Sequence, residues 1–241
     1  GQLEKSVHKV ILQDFSDPAL RRLKGKKTAL IPVGSLEQHG PHLPVSTDSD
    51  IVSEIARQVS KKCNLLLLPT ISYGVSFEHA PFFNLSIRAA ILQQFLYDVC
   101  VSLAKNDISR IIILNGHHGN QKALNSLKFK ICRKHKGRIK VFVYSYWHFM
   151  GREFDHAGFV ETSLMLAISN KPNMKLAKKG LTTQNMTKQQ KMRISKLASV
   201  QFIKATKNGV WGDPRNASSA AGRQILAEIV KNITKTVSKL A

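Results

Sequence analysis

Hydrophobic positions along this chain follow two rhythms. Four short runs, Thr28–Val33, Leu65–Leu68, Arg110–Asn115 and Val141–Tyr146, are apolar at successive positions, as in strands buried on both faces. Between them apolar residues recur at intervals of three and four. Ile51, Ile55, Ala56 and Val59 predict a helix over Asp50–Lys62, with Thr47 or Ser49 available to cap it. The same spacing predicts helices over residues 87–105, Gln121–Lys134, Phe159–Ile168 and Ala220–Leu240. Strands alternating with helices imply an α/β fold, a three-layer α/β/α sandwich with a mostly parallel central sheet. At 241 residues, 43% of them hydrophobic, the chain is long enough for one sizeable core, so a single domain over residues 1–241 is expected. Residues 170–208 fall outside both rhythms. They are rich in Lys and Gln and are expected to form a solvated connection, a lid or a subunit contact.

Charge adds a constraint on partners. Lys and Arg number 37 against 15 Asp and Glu, a formal net charge of +22. A field of that sign draws nucleic acid, anionic membranes and phosphorylated small molecules alike. The basic residues are spread out, with mild concentrations at Arg21–Lys27, Lys128–Lys140 and Lys171–Lys207, and no aromatic-interleaved RNA-binding signature accompanies them. Most read as solvated helix faces. A nucleic-acid partner is disfavoured, and an anionic or phosphorylated small-molecule amide is compatible. No window approaches about 18 uninterrupted apolar residues, so no membrane-spanning helix is expected. Glu4, Lys5, His8 and Asp14 leave no apolar core for a secretory leader. Cys63, Cys100 and Cys132 form no Cys-x-x-Cys pair and read as reduced packing residues of a cytoplasmic protein.

Three polar clusters carry the chemistry. Residues 34–48, Gly-Ser-Leu-Glu-Gln-His-Gly-Pro-His-Leu-Pro-Val-Ser-Thr-Asp, crowd Glu37, His39, His42 and Asp48 into one segment directly after the first strand. Carboxylate and imidazole are the donors that hard and borderline divalent cations take. Gly34, Gly40, Pro41 and Pro44 favour a stiff, bent loop. The third strand runs into Asn115-Gly116-His117-His118-Gly119-Asn120. Ligands of open α/β sheets bind beyond the carboxyl ends of the strands, so a histidine here points at the same crevice. Consecutive side chains face apart, and one of His117 and His118 is expected at an ion. The last cluster, Asp155-His156-Ala157-Gly158-Phe159-Val160-Glu161-Thr162-Ser163, opens a helix. Glu161 either joins the pocket with His156 or only favours the helix N-terminus electrostatically.

These segments resemble the signatures of the creatininase (creatinine amidohydrolase) family. The resemblance is carried by Gly34–Asp48, Asn115–Asn120, His156–Ser163 and the late Gly209–Pro214, and it runs from about residue 10 to the C-terminus. It implies a compact α/β/α fold and a centre of two divalent metal ions, Zn2+ or Mn2+ with Fe2+ as a further candidate. The implied reaction is hydrolysis of a C–N bond in a cyclic or linear non-peptide amide. Carried over by motif, Glu37, His39, Asp48 and His117 match ligand positions, with Asp48 bridging. The family's further glutamate falls at Gly119 here, and Glu161 is the replacement. His156 matches the acid–base position. Glu78-His79-Ala80-Pro81-Phe82-Phe83-Asn84 keeps the family's His79 but not the residues next to it in relatives, which argues against strict creatininase activity. Glu78, His79 and His118 are the substrate-facing candidates. Relatives of this kind include a deformylase of a formylamino-pyrimidine ribosyl phosphate, which suits the positive charge, and a peptidase of a peptide-derived cofactor pathway. A symmetric homo-oligomer, a hexamer, is implied as well.

On this expectation Glu37 and His117 hold one ion, His39 and Glu161 the other, and Asp48 lies between them with a solvent molecule. Three carboxylates leave roughly one positive charge of two dications for a developing oxyanion. His156, titrating near neutrality, moves the proton. His42, Asn115 and Asn120 either orient ligands or close loops by hydrogen bonds. Two other classes compete. A basic nucleic-acid-binding protein on an inactive hydrolase fold would bind RNA or DNA with steep salt dependence. A nucleotide-binding doubly wound domain would want Gly-x-Gly-x-x-Gly after the first strand, where only Gly34 stands.

Overall fold

The structure, a computed structural model, describes residues 10–23 and 25–240. Glu4, Lys5 and His8, on which the leader argument rests, lie outside the described residues. A short helix α1 (Asp17–Arg21) precedes strand β1 (Ala29–Val33), and helix α2 (Thr47–Cys63) leads to β2 (Leu66–Leu67). Next come α3 (Ala89–Lys105), β3 (Arg110–Asn115), α4 (Gln121–Lys134) and β4 (Lys140–Ser145). The chain ends with α5 (Phe159–Ile168), α6 (Lys188–Ala198), α7 (Phe202–Thr206) and α8 (Ser219–Val237). The strands form one sheet in the order β2-β1-β3-β4, parallel at every pairing.

Alternate strand side chains go to opposite faces of a sheet. Leu30, Ile112 and Leu114 join α2, α5 and α8 in one core, whereas Ala29, Ile31, Val33, Ile111 and Ile113 pack on α3 and α4 across the sheet. The fold is therefore the expected α/β/α sandwich. Each fully buried Ile or Leu contributes about 1.5–3 kcal/mol, so the successive apolar positions of β3 stabilise both layers.

Three differences from the sequence reading have identifiable physical causes. The strand expected at Leu65–Leu68 is only two residues long. Pro32 has no N–H to extend the pairing of β1 with β2, and the ladder stops after Leu30↔Leu67. Helix α2 starts at Thr47 rather than Asp50, so Asp48 sits on a first helical turn instead of a loop. Thr47 Oγ1 donates to Pro44 O at 2.7 Å, and Ser46 Oγ donates to Asp50 Oδ2 at 2.8 Å, which fixes that start. Residues 170–208 contain α6 and α7. Thr187 Oγ1 accepts from Gln190 N at 3.2 Å while Gln190 Oε1 accepts from Thr187 N at 2.8 Å, a capping box whose Thr-x-x-Gln signal stands in the sequence. These two helices share a small core of Ala198, Phe202 and Ala205, apart from both faces of the sheet.

The three cysteines are free thiols, but only Cys100 is buried, and exposed Cys132 corrects the expectation that all three are packing residues. Among the described residues no helix is long and apolar enough to cross a membrane. Two close approaches fix the strand exits. A Cβ on Gly34 would stand 2.4 Å from Ser49 Oγ, and one on Gly116 2.8 Å from Asp48 O. The ends of β1 and β3 are thereby pressed against the first turn of α2.

Candidate metal centre

The segment after β1, the first turn of α2, the exit of β3 and the first turn of α5 meet at the carboxyl end of the sheet. Glu37, His39, Asp48, His117 and Glu161 are buried there together. His39 Nε2 lies 3.0 Å from Asp48 Oδ1 and 3.5 Å from Glu161 Oε2. His117 Nδ1 lies 3.0 Å from Asp48 Oδ2 and 3.1 Å from Glu37 Oε1. The other nitrogen of each ring is taken by the backbone. His39 Nδ1 donates to Glu37 O at 3.1 Å, and His117 Nε2 donates to Val75 O at 2.9 Å. A carbonyl can only accept, so each ring turns its remaining nitrogen towards two carboxylates. That nitrogen either carries a second proton or offers its lone pair to a cation the carboxylates share.

The donor set fits such cations. Glu37, Asp48 and His117 form one group and His39, Asp48 and Glu161 another, with the ligand atoms of each group within 4.8 Å of one another. Asp48 belongs to both, one oxygen towards each. A third group joins Glu37 and His39 to His156. Glu37 Oε1, Asp48 Oδ2 and Glu161 Oε1 have no hydrogen-bond partner although fully buried. The first two are close to His117 Nδ1 but off the line of a hydrogen bond. Opposite oxygens are held: Ser35 Oγ donates to Glu37 Oε2 at 3.1 Å and Ala157 N to Glu161 Oε2 at 2.6 Å. An uncompensated buried carboxylate oxygen is costly, and coordination to an ion removes that cost.

The ionisation equilibria are pulled apart. Burial raises Glu161 well above the ordinary carboxylate range, with Asp48 and Asp155 adding to the effect against His39. Burial also disfavours charge on Glu37, yet His117 and His79 hold it well below that range. Burial opposes the charged rings too, but Asp48 and Glu161 lift His39 to about 10, and Glu37 and Asp48 lift His117 well above its usual value. A bound cation would displace these protons.

A second tier of groups stands over the cluster. Gln38 Oε1 accepts from Gly40 N at 2.9 Å, which fixes the amide, and Gln38 Nε2 donates to His79 Nδ1 at 2.9 Å. His79 therefore carries its proton on Nε2, 3.2 Å from Glu37 Oε1. His156 Nε2 donates to Gln38 O at 3.0 Å, and its ring stacks on those of His39 and His79, with centres 4.2 and 4.8 Å away. The expectation that His156 titrates near neutrality is corrected. Burial, then the charge on the neighbouring His39, pushes it well below its usual value, so it is a neutral imidazole. Phe202 of α7 lies 4.6 Å from the His79 ring and 4.7 Å from that of His156. Sequence reasoning passes over both Gln38 and Phe202. Gln38 at least stands between two candidate ligands, whereas nothing local marks Phe202.

These groups floor a cavity of about 360 Å³ whose walls include Glu78, His118, Phe154, Lys191, Phe202 and Trp211. Glu78 Oε1 lies 3.6 Å from His117 Nε2 and 3.7 Å from His79 Nε2, and burial raises its pKa. His117 and His118 face apart: His118 is exposed at the mouth, stacked 5.9 Å from Trp147 and 6.4 Å from Phe154. A Cβ at Gly119 would stand 2.2 Å from Val75 O, 2.5 Å from His117 Nε2 and 2.9 Å from Glu78 Oε1. Packing excludes a glutamate at that position, and Glu161 reaches the cluster from α5 instead.

The remaining candidates hold loops rather than touch the carboxylates. His42 Nε2 meets Thr162 Oγ1 at 2.8 Å, tying the first segment to the residue after Glu161. Asn115 Oδ1 accepts from His117 N at 3.0 Å. Asn120 bridges Gly34 O at 3.0 Å and Val75 N at 2.9 Å, which steadies the carbonyl that receives His117. Asp155 accepts from Val160 N at 2.8 Å and Glu161 N at 3.2 Å, an anion at the start of α5 that sets where Glu161 stands.

The model of the family described as Creatininase: Creatinine amidohydrolase matches residues 13–237. The chain belongs to the creatininase family. The mycofactocin precursor peptide peptidase of Mycolicibacterium smegmatis is 33% identical over 220 residues, 87% of this chain and 84% of its own length. Creatinine amidohydrolase of Pseudomonas putida is 28% identical over 174 residues, 60% of this chain and 65% of its own. A 2-amino-5-formylamino-6-ribosylaminopyrimidin-4(3H)-one 5'-monophosphate deformylase of Methanobrevibacter ruminantium is 34% identical over 107 residues, 42% of this chain and 44% of its own. A mutant creatininase of Zn–Zn type superposes with a TM-score of 0.80 at 21% identity, covering 96% of this chain and 98% of that one. The structure described as creatininase Mn gives 0.79 at the same identity and coverage. At that identity the likeness shows a shared fold.

Proposed function

We propose that this chain is a metal-dependent hydrolase cleaving an amide C–N bond at the cluster of Glu37, His39, Asp48, His117 and Glu161. The paired geometry of His39 and His117 carries this reading: each gives one N–H to a backbone carbonyl and turns the other nitrogen to two buried carboxylates. Glu37, Asp48 and His117 would hold one divalent ion, and His39, Asp48 and Glu161 a second. Zinc and manganese are the first candidates, supported by the Zn–Zn and Mn creatininases, and iron(II) comes next. Such ions, when bound, acidify a water and withdraw charge from a carbonyl.

The protein's own groups do the rest. His79 Nε2–H steadies Glu37. His156 donates at Nε2 to Gln38 O, so its Nδ1 is the atom that can take a proton and hand it to the departing nitrogen. Glu78 and His118 face the cavity and would meet the substrate together with His79. Phe154, Phe202 and Trp211 supply apolar wall and keep water off one side.

The resemblance to the creatininase family implies non-peptide amides. Likeness to a peptide peptidase over most of both chains supports admitting peptide amides, and the shorter match to a deformylase supports keeping N-formyl amides in the set. A donor set this complete argues against an inactive fold that only binds nucleic acid. Exposed Tyr73, Phe77, Phe83, Leu85 and Phe95 support a homo-oligomer, a hexamer on the family's pattern, which analytical ultracentrifugation would detect.

The test is elemental analysis of purified protein with a hydrolysis screen over formyl amides, N-acyl amino acids and short peptides. The expected result is about two ions per chain, and turnover that a chelator abolishes and added zinc or manganese restores. Full turnover by metal-free protein would sink the reading.

A further inference from the structure

The opposite end of the same sheet is built from cations. Lys26 and Lys27 precede β1, Arg110 opens β3, Arg138 precedes β4 and Lys140 opens it. With Thr28 and Ser109 they line a cleft of about 210 Å³. Strand pairing enforces the crowding, because Arg110 and Lys140 are register partners on neighbouring parallel strands. Such partners are about 4.8 Å apart, and like charges facing each other across a sheet are destabilising. The turns are braced, with Gly25 N donating to Asp107 O at 2.9 Å and Lys140 N to Ser109 O at 2.8 Å.

Among the described residues none of the five cations joins an ion pair. Lys27 donates to Asn64 O at 2.9 Å and to the Asn64 side-chain oxygen, and Arg138 Nε donates to His135 O at 3.4 Å, all neutral acceptors. Among the described residues Asp107 is the one carboxylate on the wall. An adjoining cleft of about 470 Å³ shares Lys26, Thr28 and Arg110 and adds Lys62, which precedes β2. Each of the four strands thus begins beside at least one cation.

We propose that this edge binds an oligophosphate, a run of linked phosphates lying across the strand starts, at a site separate from the hydrolytic centre. One phosphate brings at most about two negative charges, too few for Lys26, Lys27, Lys62, Arg110, Arg138 and Lys140 together. Four strands at their usual spacing extend about 14 Å, the reach of several linked phosphates. The same chemistry is offered by a free oligophosphate and by the backbone of single-stranded nucleic acid.

Calorimetric titration of the purified protein with tripolyphosphate tests this. Binding is expected at one site per chain, weakened at least about tenfold in K26E/R138E. K26Q/R138Q, which removes charge without reversing it, should show a smaller loss. Binding should persist in D48N, which disables the candidate metal cluster, and in K122E/R223E, which has the same net charge as K26E/R138E but changes residues away from the cleft. A labelled single-stranded RNA followed by fluorescence anisotropy separates the sources. Tighter RNA binding with the same dependence on Lys26 and Arg138 assigns the ligand to nucleic acid, and tripolyphosphate binding without RNA binding assigns it to a free oligophosphate. The proposal is overturned by unchanged binding in K26E/R138E, by equal weakening in K122E/R223E, by loss in D48N, or by binding of neither probe.

Discussion

The two ends of the sheet handle charge in opposite ways. At the carboxyl end Glu37, Asp48 and Glu161 are buried against His39 and His117, and each histidine is aimed by a carbonyl. At the amino end Lys and Arg side chains stand half-buried or exposed near one wall carboxylate, Asp107, with Lys27 and Arg138 donating to neutral acceptors. Buried charge must be compensated within bonding distance, since the cost of leaving it unpaired is several kcal/mol. Exposed like charge survives because water and salt screen it over about 8–10 Å. The first arrangement therefore dictates donor positions closely enough for coordination chemistry, whereas the second dictates only sign and density, which suits a flexible polyanion.

The contrast can be broken most directly at Asp48, which both donor groups share. Asp48→Ala should lose both ions by elemental analysis and lower turnover on the order of 10³-fold or more; a variant that keeps its metal removes Asp48 from the centre. His156→Ala should keep the ions while turnover drops about 10²–10⁴-fold, and normal turnover would end its proposed role. Gln38→Ala tests whether the tier above the carboxylates matters. Losing the donor that sets the His79 tautomer should weaken metal binding about 10–100-fold, read by equilibrium dialysis, and unchanged affinity would leave His79 idle. K26E/R138E sharpens the comparison from the far side: hydrolysis and metal content should stay within about twofold of the parent, because exposed charges beyond a Debye length are screened.

The smallest effect concerns pH. Burial, helped by the charge on His39, pushes His42 down to about 4 from its usual 6.5. The folded state therefore binds fewer protons than the unfolded chain between those values. Stability from neutral His42 is present above pH 6.5 and is lost as pH falls towards 4. Urea midpoints of the metal-free protein should trace that decline, and His42→Gln should flatten it. An identical slope in the variant would assign the decline to other groups.

Much of this was legible in the chain. Successive apolar residues marked β1, β3 and β4, and spacing by three and four marked α2 to α5 and α8. Glu37, His39, Asp48, His117 and Glu161 come from segments the sequence singled out, and the structure brings all five together. What was illegible had non-local causes. Pro32 shortens β2 through a missing partner donor more than thirty residues away in the chain. Helix α6 covers only a small core and leaves Met192 and Leu197 exposed, so its apolar face is faint. Phe202 reaches His79 and His156 from a segment without any chemical signature.

By itself the sequence determined which side chains could coordinate, because donor chemistry and the turns next to a strand end are local properties. It determined the layered architecture as well, since periodicity reports which faces are buried. The tertiary structure alone decided which oxygen of each carboxylate is left unpartnered, which nitrogen of each histidine turns inward, and that Lys26, Arg110 and Lys140 share one edge. Those outcomes depend on where chain-distant atoms come to rest to within a fraction of an ångström, and no stretch of sequence holds both partners of such a contact.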